Sequence, residues 1–114
     1  MTEETLFTKI INRDIPADIV YEDDQCIAFR DINPQAPVHV LVVPKKPIAK
    51  VSVSEEGDEA LLGHLMRTAA KIAEQEGYAD AFRLITNNGE AAGQTVFHIH
   101  VHLLAGRDLN WPPG

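Results

Sequence analysis

An α+β fold, an antiparallel sheet of about five strands with one long helix packed on it, is what this sequence predicts. Three observations carry it. Short apolar runs bounded by Asn, Asp, Gly and Pro recur along the chain. One stretch, Glu56 to Glu76, has apolar residues at helical spacing. Finally, 45% of the 114 residues are apolar, and no repeat, low-complexity tract or Gly/Ser/Pro linker divides them, so residues 1–114 read as a single domain with one core.

The elements follow in order. Leu6, Phe7, Ile10 and Ile11 repeat at helical spacing after Thr5, a suitable N-cap, and predict a short helix. It should stop near Asn12 to Asp14, because Pro16 pushes Ile15 out of the α region. Ile19–Glu22 and Cys26–Arg30 read as two strands joined by the turn Asp23-Asp24. Asp31 to Pro37, with Asn33-Pro34 and a second proline, is a loop. Val38–Val43 is apolar on both faces apart from His39, which marks a central strand ended by Pro44. In the long helix, Leu62, Leu65, Ala69, Ile72 and Ala73 form the buried stripe, Gly77 follows as C′ residue, and His64 points to solvent beside Lys71. The acids Glu55, Glu56, Asp58 and Glu59 read as a solvated helix start that complements the dipole. Phe82–Thr86 and Thr95–Leu104 are the last strands, flanking a loop, Asn87 to Gly93, rich in the residues that accept positive φ. Five strands in this series suggest a meander.

Composition narrows the function. Ten Lys and Arg against 17 Asp and Glu give a net charge of −7, which argues against binding along a nucleic-acid backbone. A single phosphate is still within reach of backbone N–H groups and a few side chains. The one cysteine excludes an internal disulfide framework and suits a reducing compartment. The acidic Met1 to Phe7 does not resemble a secretory leader, and no apolar run approaches the roughly 20 residues that span a bilayer, so a cytoplasmic protein is expected.

Three of the five histidines fall within five residues: His98, His100 and His102. Read as a strand, Phe97 to Leu103 puts Phe97, Ile99, Val101 and Leu103 on the core face and the three imidazoles on the other. A solvated face would be served as well by Thr, Lys or Glu, so three imidazoles in register signal function. In a straight strand the neighbouring pairs stand roughly 7 Å apart, spacing that suits an extended substrate better than one zinc ion. Zinc, with His39 as a further ligand, is the second reading. Neutral imidazole is a nucleophile near neutral pH and its cation an acid at nearly the same pH. The preceding Gly93-Gln94-Thr95 offers backbone N–H groups and a hydroxyl beside the histidines, and phosphate is the natural guest. Neither a Walker loop nor a GxGxxG is present.

His98-Ile99-His100-Val101-His102-Leu103-Leu104 resembles the His-φ-His-φ-His-φ-φ motif of the histidine triad (HIT) family, φ being apolar. Phe29-Arg30-Asp31-Ile32, Pro34-Gln35-Ala36-Pro37, His39 to Lys46, Ala105-Gly106-Arg107 and Trp111-Pro112-Pro113-Gly114 are similar to its Hint branch, a likeness running from Leu6 to Gly114. His102 distinguishes the chain from the transferase branch, which has glutamine there, and the Trp-Pro-Pro-Gly ending from the dinucleoside polyphosphate hydrolase branch.

The resemblance implies a HIT fold that dimerises into a continuous sheet, through the long helix and the Phe82–Thr86 strand. It implies a cofactor-free, metal-free hydrolase of purine nucleoside phosphoramidates (AMP-NH2 or AMP-lysine type), with AMP or GMP derivatives as ligands. His100 would be the nucleophile and form a nucleotidyl-histidine. His102 and the Thr95 hydroxyl would meet the phosphate and the leaving group, while His98 and His39 orient and polarise. Asp31 would hold the ribose diol; Ile32, Phe29, Phe7 and Ile10 would wall the purine; Asn87, Gly93, Gln94, Thr95 and Val101 would line the phosphate. Trp111, in the tail 105–114, would reach the partner's site. Two departures from the branch stand out: Thr95 replaces the commoner Ser, and Arg30 replaces a frequent His. A dinucleoside polyphosphate hydrolase and a non-enzymatic nucleotide-binding scaffold are the alternatives.

Overall fold

The computed structural model describes residues 4–113; Gly114 of the tail motif and Met1 to Glu3 of the acidic N-terminus lie outside them. Helix α1 (Leu6–Ile11) starts at Thr5, whose side chain accepts from the Thr8 N–H, so the expected N-cap is in place. Strands β1 (Ile19–Glu22), β2 (Cys26–Arg30), β3 (Val38–Pro44), β4 (Phe82–Ile85) and β5 (Val101–Ala105) form one antiparallel sheet. Two 3-10 turns, Val51–Val53 and Glu56–Asp58, precede the long helix α2 (Glu59–Gln75). None of the described helices is long and apolar enough to cross a membrane.

The sheet is not a meander. Its order is β1-β2-β3-β5-β4, with β5 inserted between β3 and β4. The strand predicted over Thr95–Leu104 is also shorter than expected, because residues 95–100 are irregular and the ladder begins only at Val101. Phe97 is consequently exposed, whereas Ile99, Val101 and Leu103 do enter the core.

Alternation assigns the two faces. Val38, Val40 and Val42 of β3, Val101 and Leu103 of β5, and Cys26 and Ala28 of β2 pack under Leu65, Ala69, Ile72 and Ala73 of α2. On the other face Ile27, Phe29, Leu41 and Val43 pack with Phe7 and Ile10 of α1. The histidines share this second face, beneath the short helix.

Two surface expectations are corrected. Asp58 is buried: its carboxylate accepts from Lys46 Nζ at 2.6 Å and from the Glu55 N–H at 2.9 Å, which offsets its desolvation. His64 is half-buried rather than solvated, with Nε2 2.7 Å from Asp23 Oδ2. The turn after β5 depends on Gly106, at φ +96°, where a Cβ would lie 2.9 Å from Pro37 Cβ and 3.2 Å from Tyr78 Oη. Gly106→Ala is therefore expected to cost about 1–3 kcal/mol, read as a lower urea midpoint with unchanged m-value.

Candidate active site

Because β3 and β5 are neighbours, with Leu41 opposite His102 and His39 opposite Leu104, two histidines from distant parts of the chain meet diagonally. His39 Nε2 and His102 Nδ1 are 2.9 Å apart. The hydrogen bonds around them assign the ring protons. The Gln35 N–H donates to His39 Nδ1 at 3.0 Å, so the proton of neutral His39 is on Nε2. That N–H donates to His102 Nδ1, and Asp31 Oδ2 lies 3.4 Å from the same nitrogen. His102 is thereby left with its proton on Nε2, as a donor.

His100 is arranged the opposite way. Its Nδ1 is 2.8 Å from the His98 carbonyl and must donate to it, which leaves Nε2 as a bare lone pair. The edge of Phe7 packs on this ring, with centroids 4.9 Å apart and an interplanar angle of 82°. His100 and His102 ring centroids are 5.0 Å apart, closer than a straight strand would hold them, because the chain bends before Val101. His98 is buried and turned away: Nε2 donates to the Pro44 carbonyl at 2.7 Å, and the Thr5 hydroxyl lies 3.5 Å from Nδ1. It ties the triad segment to the end of β3 and the start of α1.

Burial lowers the pKa of all four rings from the ordinary histidine value, that of His102 to about 4 with help from neighbouring His100 and His39. All four are thus neutral at pH 7, as the proton assignment requires.

The grouping of Asp31, His39 and His102 has the donor types of a metal site, with their donor atoms within 4.8 Å. The surroundings oppose that use. A ligating histidine normally donates its second N–H outward, whereas His39 Nδ1 receives a backbone N–H. A neutral ring cannot offer both nitrogens as lone pairs and keep its proton, so this group is a hydrogen-bond relay.

His100 and His102 open onto a cavity of about 260 Å³ with a mainly apolar wall. Phe7, Ile10, Phe29, Asp31, Ile32, Thr95, His100 and His102, all singled out in the sequence, line it. Ile32 is fully exposed on the rim, and Arg30 stands at the flank with its guanidinium 2.8 Å from Glu76 and 3.6 Å from Asp18. Asp31 has two roles: Oδ1 accepts the Asn33 N–H at 2.8 Å and holds the loop, while Oδ2 faces His39. Leu41, Val96, Pro16 and Ala17 also line the cavity and had not been singled out. Strand parity with His39 is a signal for Leu41; the other three lie in irregular segments and had none.

The phosphate loop needs correction. Gly93 has the left-handed φ expected of it, +99°, but its N–H donates to the Glu90 carbonyl, and the Gln94 N–H to Gly89. Those two amides are used within the loop. Gln94 is buried, and its side chain donates to the Ala49 and Val96 carbonyls and accepts the Gly89 N–H. It braces the loop that presents Thr95. Asn87 is half-buried beside Gly93, with Nδ2 3.7 Å from the position of a Cβ on that glycine. Val101 points to the α2 face and does not line the cavity. Trp111 is 82% exposed and does not line the cavity.

The HIT domain model matches residues 12–109. An uncharacterized HIT-like protein of Synechocystis is 59% identical over 114 residues, covering all of both chains. A maize protein named 14 kDa zinc-binding protein is 49% identical over 112 residues, 96% of this chain and 88% of its own length. The crystal structure of a HIT family hydrolase from Legionella pneumophila superposes with a TM-score of 0.95 at 46% identity, covering 97% of this chain and 100% of that one. With the histidine motif, the sheet order and this level of identity all in agreement, the chain belongs to the HIT domain family.

Proposed function

We propose that this protein hydrolyses purine nucleoside phosphoramidates through a covalent nucleotidyl-histidine on His100. The observation that carries the proposal is the His100 Nδ1 bond to the His98 carbonyl, which makes Nε2 an unprotonated nucleophile at the mouth of an apolar cavity. The purine occupies that cavity among Phe7, Ile10, Phe29 and Ile32, and Asp31 takes the ribose diol.

In the first step His100 Nε2 attacks the α-phosphorus, the P–N bond breaks, and the amine leaves with a proton supplied by solvent water. In the second, water attacks the phosphorus and gives its proton back to solvent, the bond to His100 breaks, and AMP or GMP departs. His102 Nε2–H and the Thr95 hydroxyl donate to the phosphoryl oxygens, in the tautomer that His39 imposes. Because the rings are neutral, oriented N–H and O–H dipoles meet the developing charge in place of cations. His98 acts as a positioning residue. The protein works in the cytoplasm as a homodimer joined along the edge strand β4 and α2, with Trp111 reaching the partner's site.

Mass spectrometry of enzyme quenched during turnover of adenosine phosphoramidate should show an adenylyl group on the peptide containing His100. A steady-state reaction with the label on no histidine would overturn the mechanism. The acid limb of kcat/KM provides a second check. With the pKa values of His100 and His102 lowered by burial, activity should persist below pH 6.5 and fall only as these rings protonate. Stability has the same sign: a lowered histidine pKa means that the unfolded chain binds more protons. The contribution is complete above pH 6.5 and is lost on acidification towards pH 4, which urea titrations at fixed pH will show.

A further inference from the structure

On the face of the sheet away from the triad, under α2, a second group of donors converges. The Asp23 carboxylate, the Cys26 thiol and the His64 imidazole place their donor atoms within 4.8 Å of one another. One turn along α2 from His64, the Thr68 hydroxyl is 3.8 Å from Cys26 Sγ and 3.5 Å from His64 Nε2. The proposed hydrolysis uses none of these groups.

Thiolate, imidazole and carboxylate are the borderline donor set of zinc-type ions. The outer contacts here suit ligation, unlike those of His39. Asp23 Oδ1 accepts the N–H groups of Gln25 and Cys26, both at 2.8 Å, and Oδ2 accepts the Tyr21 hydroxyl at 2.9 Å, so the carboxylate is fixed with Oδ2 beside His64. A cavity of about 670 Å³ whose wall includes Tyr21, His64, Arg67, Thr68 and Lys71 adjoins the group at His64. The fit requires little movement. Zinc-type bond lengths put tetrahedral donors about 3.3–3.6 Å apart, so the 2.7 Å His64–Asp23 contact opens by less than about 1 Å.

We infer that Asp23, Cys26 and His64 form a binding site for one zinc-type divalent cation, with water from the cavity as fourth donor. Binding forms the metal–sulfur, metal–nitrogen and metal–oxygen bonds and releases the thiol proton to solvent. The His64 ring proton, donated from Nε2 to Asp23 without metal, is given up to solvent as Nδ1 takes one in its place, so that Nε2 becomes the ligand. The site clamps the β1–β2 turn to α2 and lies apart from the catalytic cavity.

The test uses the full chain, reduced and stripped with a chelator, then titrated with Co²⁺. The expected result is one equivalent bound with a thiolate-to-cobalt charge-transfer band. His102→Ala should keep the band, Cys26→Ser should lose it, and His64→Gln should bind at least about tenfold more weakly. Absence of binding, binding without the band, loss of binding in His102→Ala, or unchanged affinity in His64→Gln would each overturn the inference. Since His64 is half-buried at the cavity wall, His64→Gln decides the matter even if Cys26→Ser does not fold.

Discussion

Replacing His100 by alanine is expected to lower phosphoramidate hydrolysis by about 10⁴-fold or more, as removal of an enzymic nucleophile does. Burst and steady-state rates on an adenosine phosphoramidate measure it, with circular dichroism showing that the fold persists. The size of the effect follows from the division of labour among the rings. His102 holds its proton on the nitrogen that faces the cavity and His98 is committed to Pro44, so neither presents a lone pair that could replace Nε2 of His100. A His100→Ala protein with wild-type turnover would remove the covalent mechanism outright. His39→Ala should be milder, because it frees the His102 tautomer without removing the attacking atom.

The largest effect on stability is expected from Leu65→Ala. Leu65 is 1% exposed, at the centre of the α2 stripe over β3 and β5. Truncation there removes buried methyl groups and leaves a cavity that a sheet cannot collapse to fill, at about 3–5 kcal/mol. For a chain of this size, Tm should fall by roughly 10–20 °C in calorimetry. A shift of only a degree or two would mean that α2 is held chiefly by something other than this packing. The substitution is on the face opposite the triad, so the fraction that remains folded should hydrolyse substrate normally.

Much of this was legible in the residues. Helix α1 with its Thr5 cap, strands β1 and β2 and the α2 stripe follow from apolar period and local capping, interactions that span a few residues. The His-φ-His-φ-His motif marked the site because its signal is chemical identity at fixed spacing. The errors share a cause. The meander, the over-long final strand and the solvated His64 and Asp58 all came from extending local patterns where non-local partners decide. Gln94 was read as a phosphate contact from its place in the loop, whereas its amide is used by Gly89, Ala49 and Val96.

Sequence alone determined the element inventory, the family motif and the residue types available for chemistry. Tertiary structure decided which nitrogen of each imidazole bears the proton. That choice depends on β5 lying against β3: a meander would have put β4 between them and moved His39 about 5 Å further from His102, beyond hydrogen-bond reach. A histidine's reactivity is set by what its second nitrogen touches, here the Gln35 amide, the His98 carbonyl and the Pro44 carbonyl. Backbone partners of that kind leave no trace in side-chain identity.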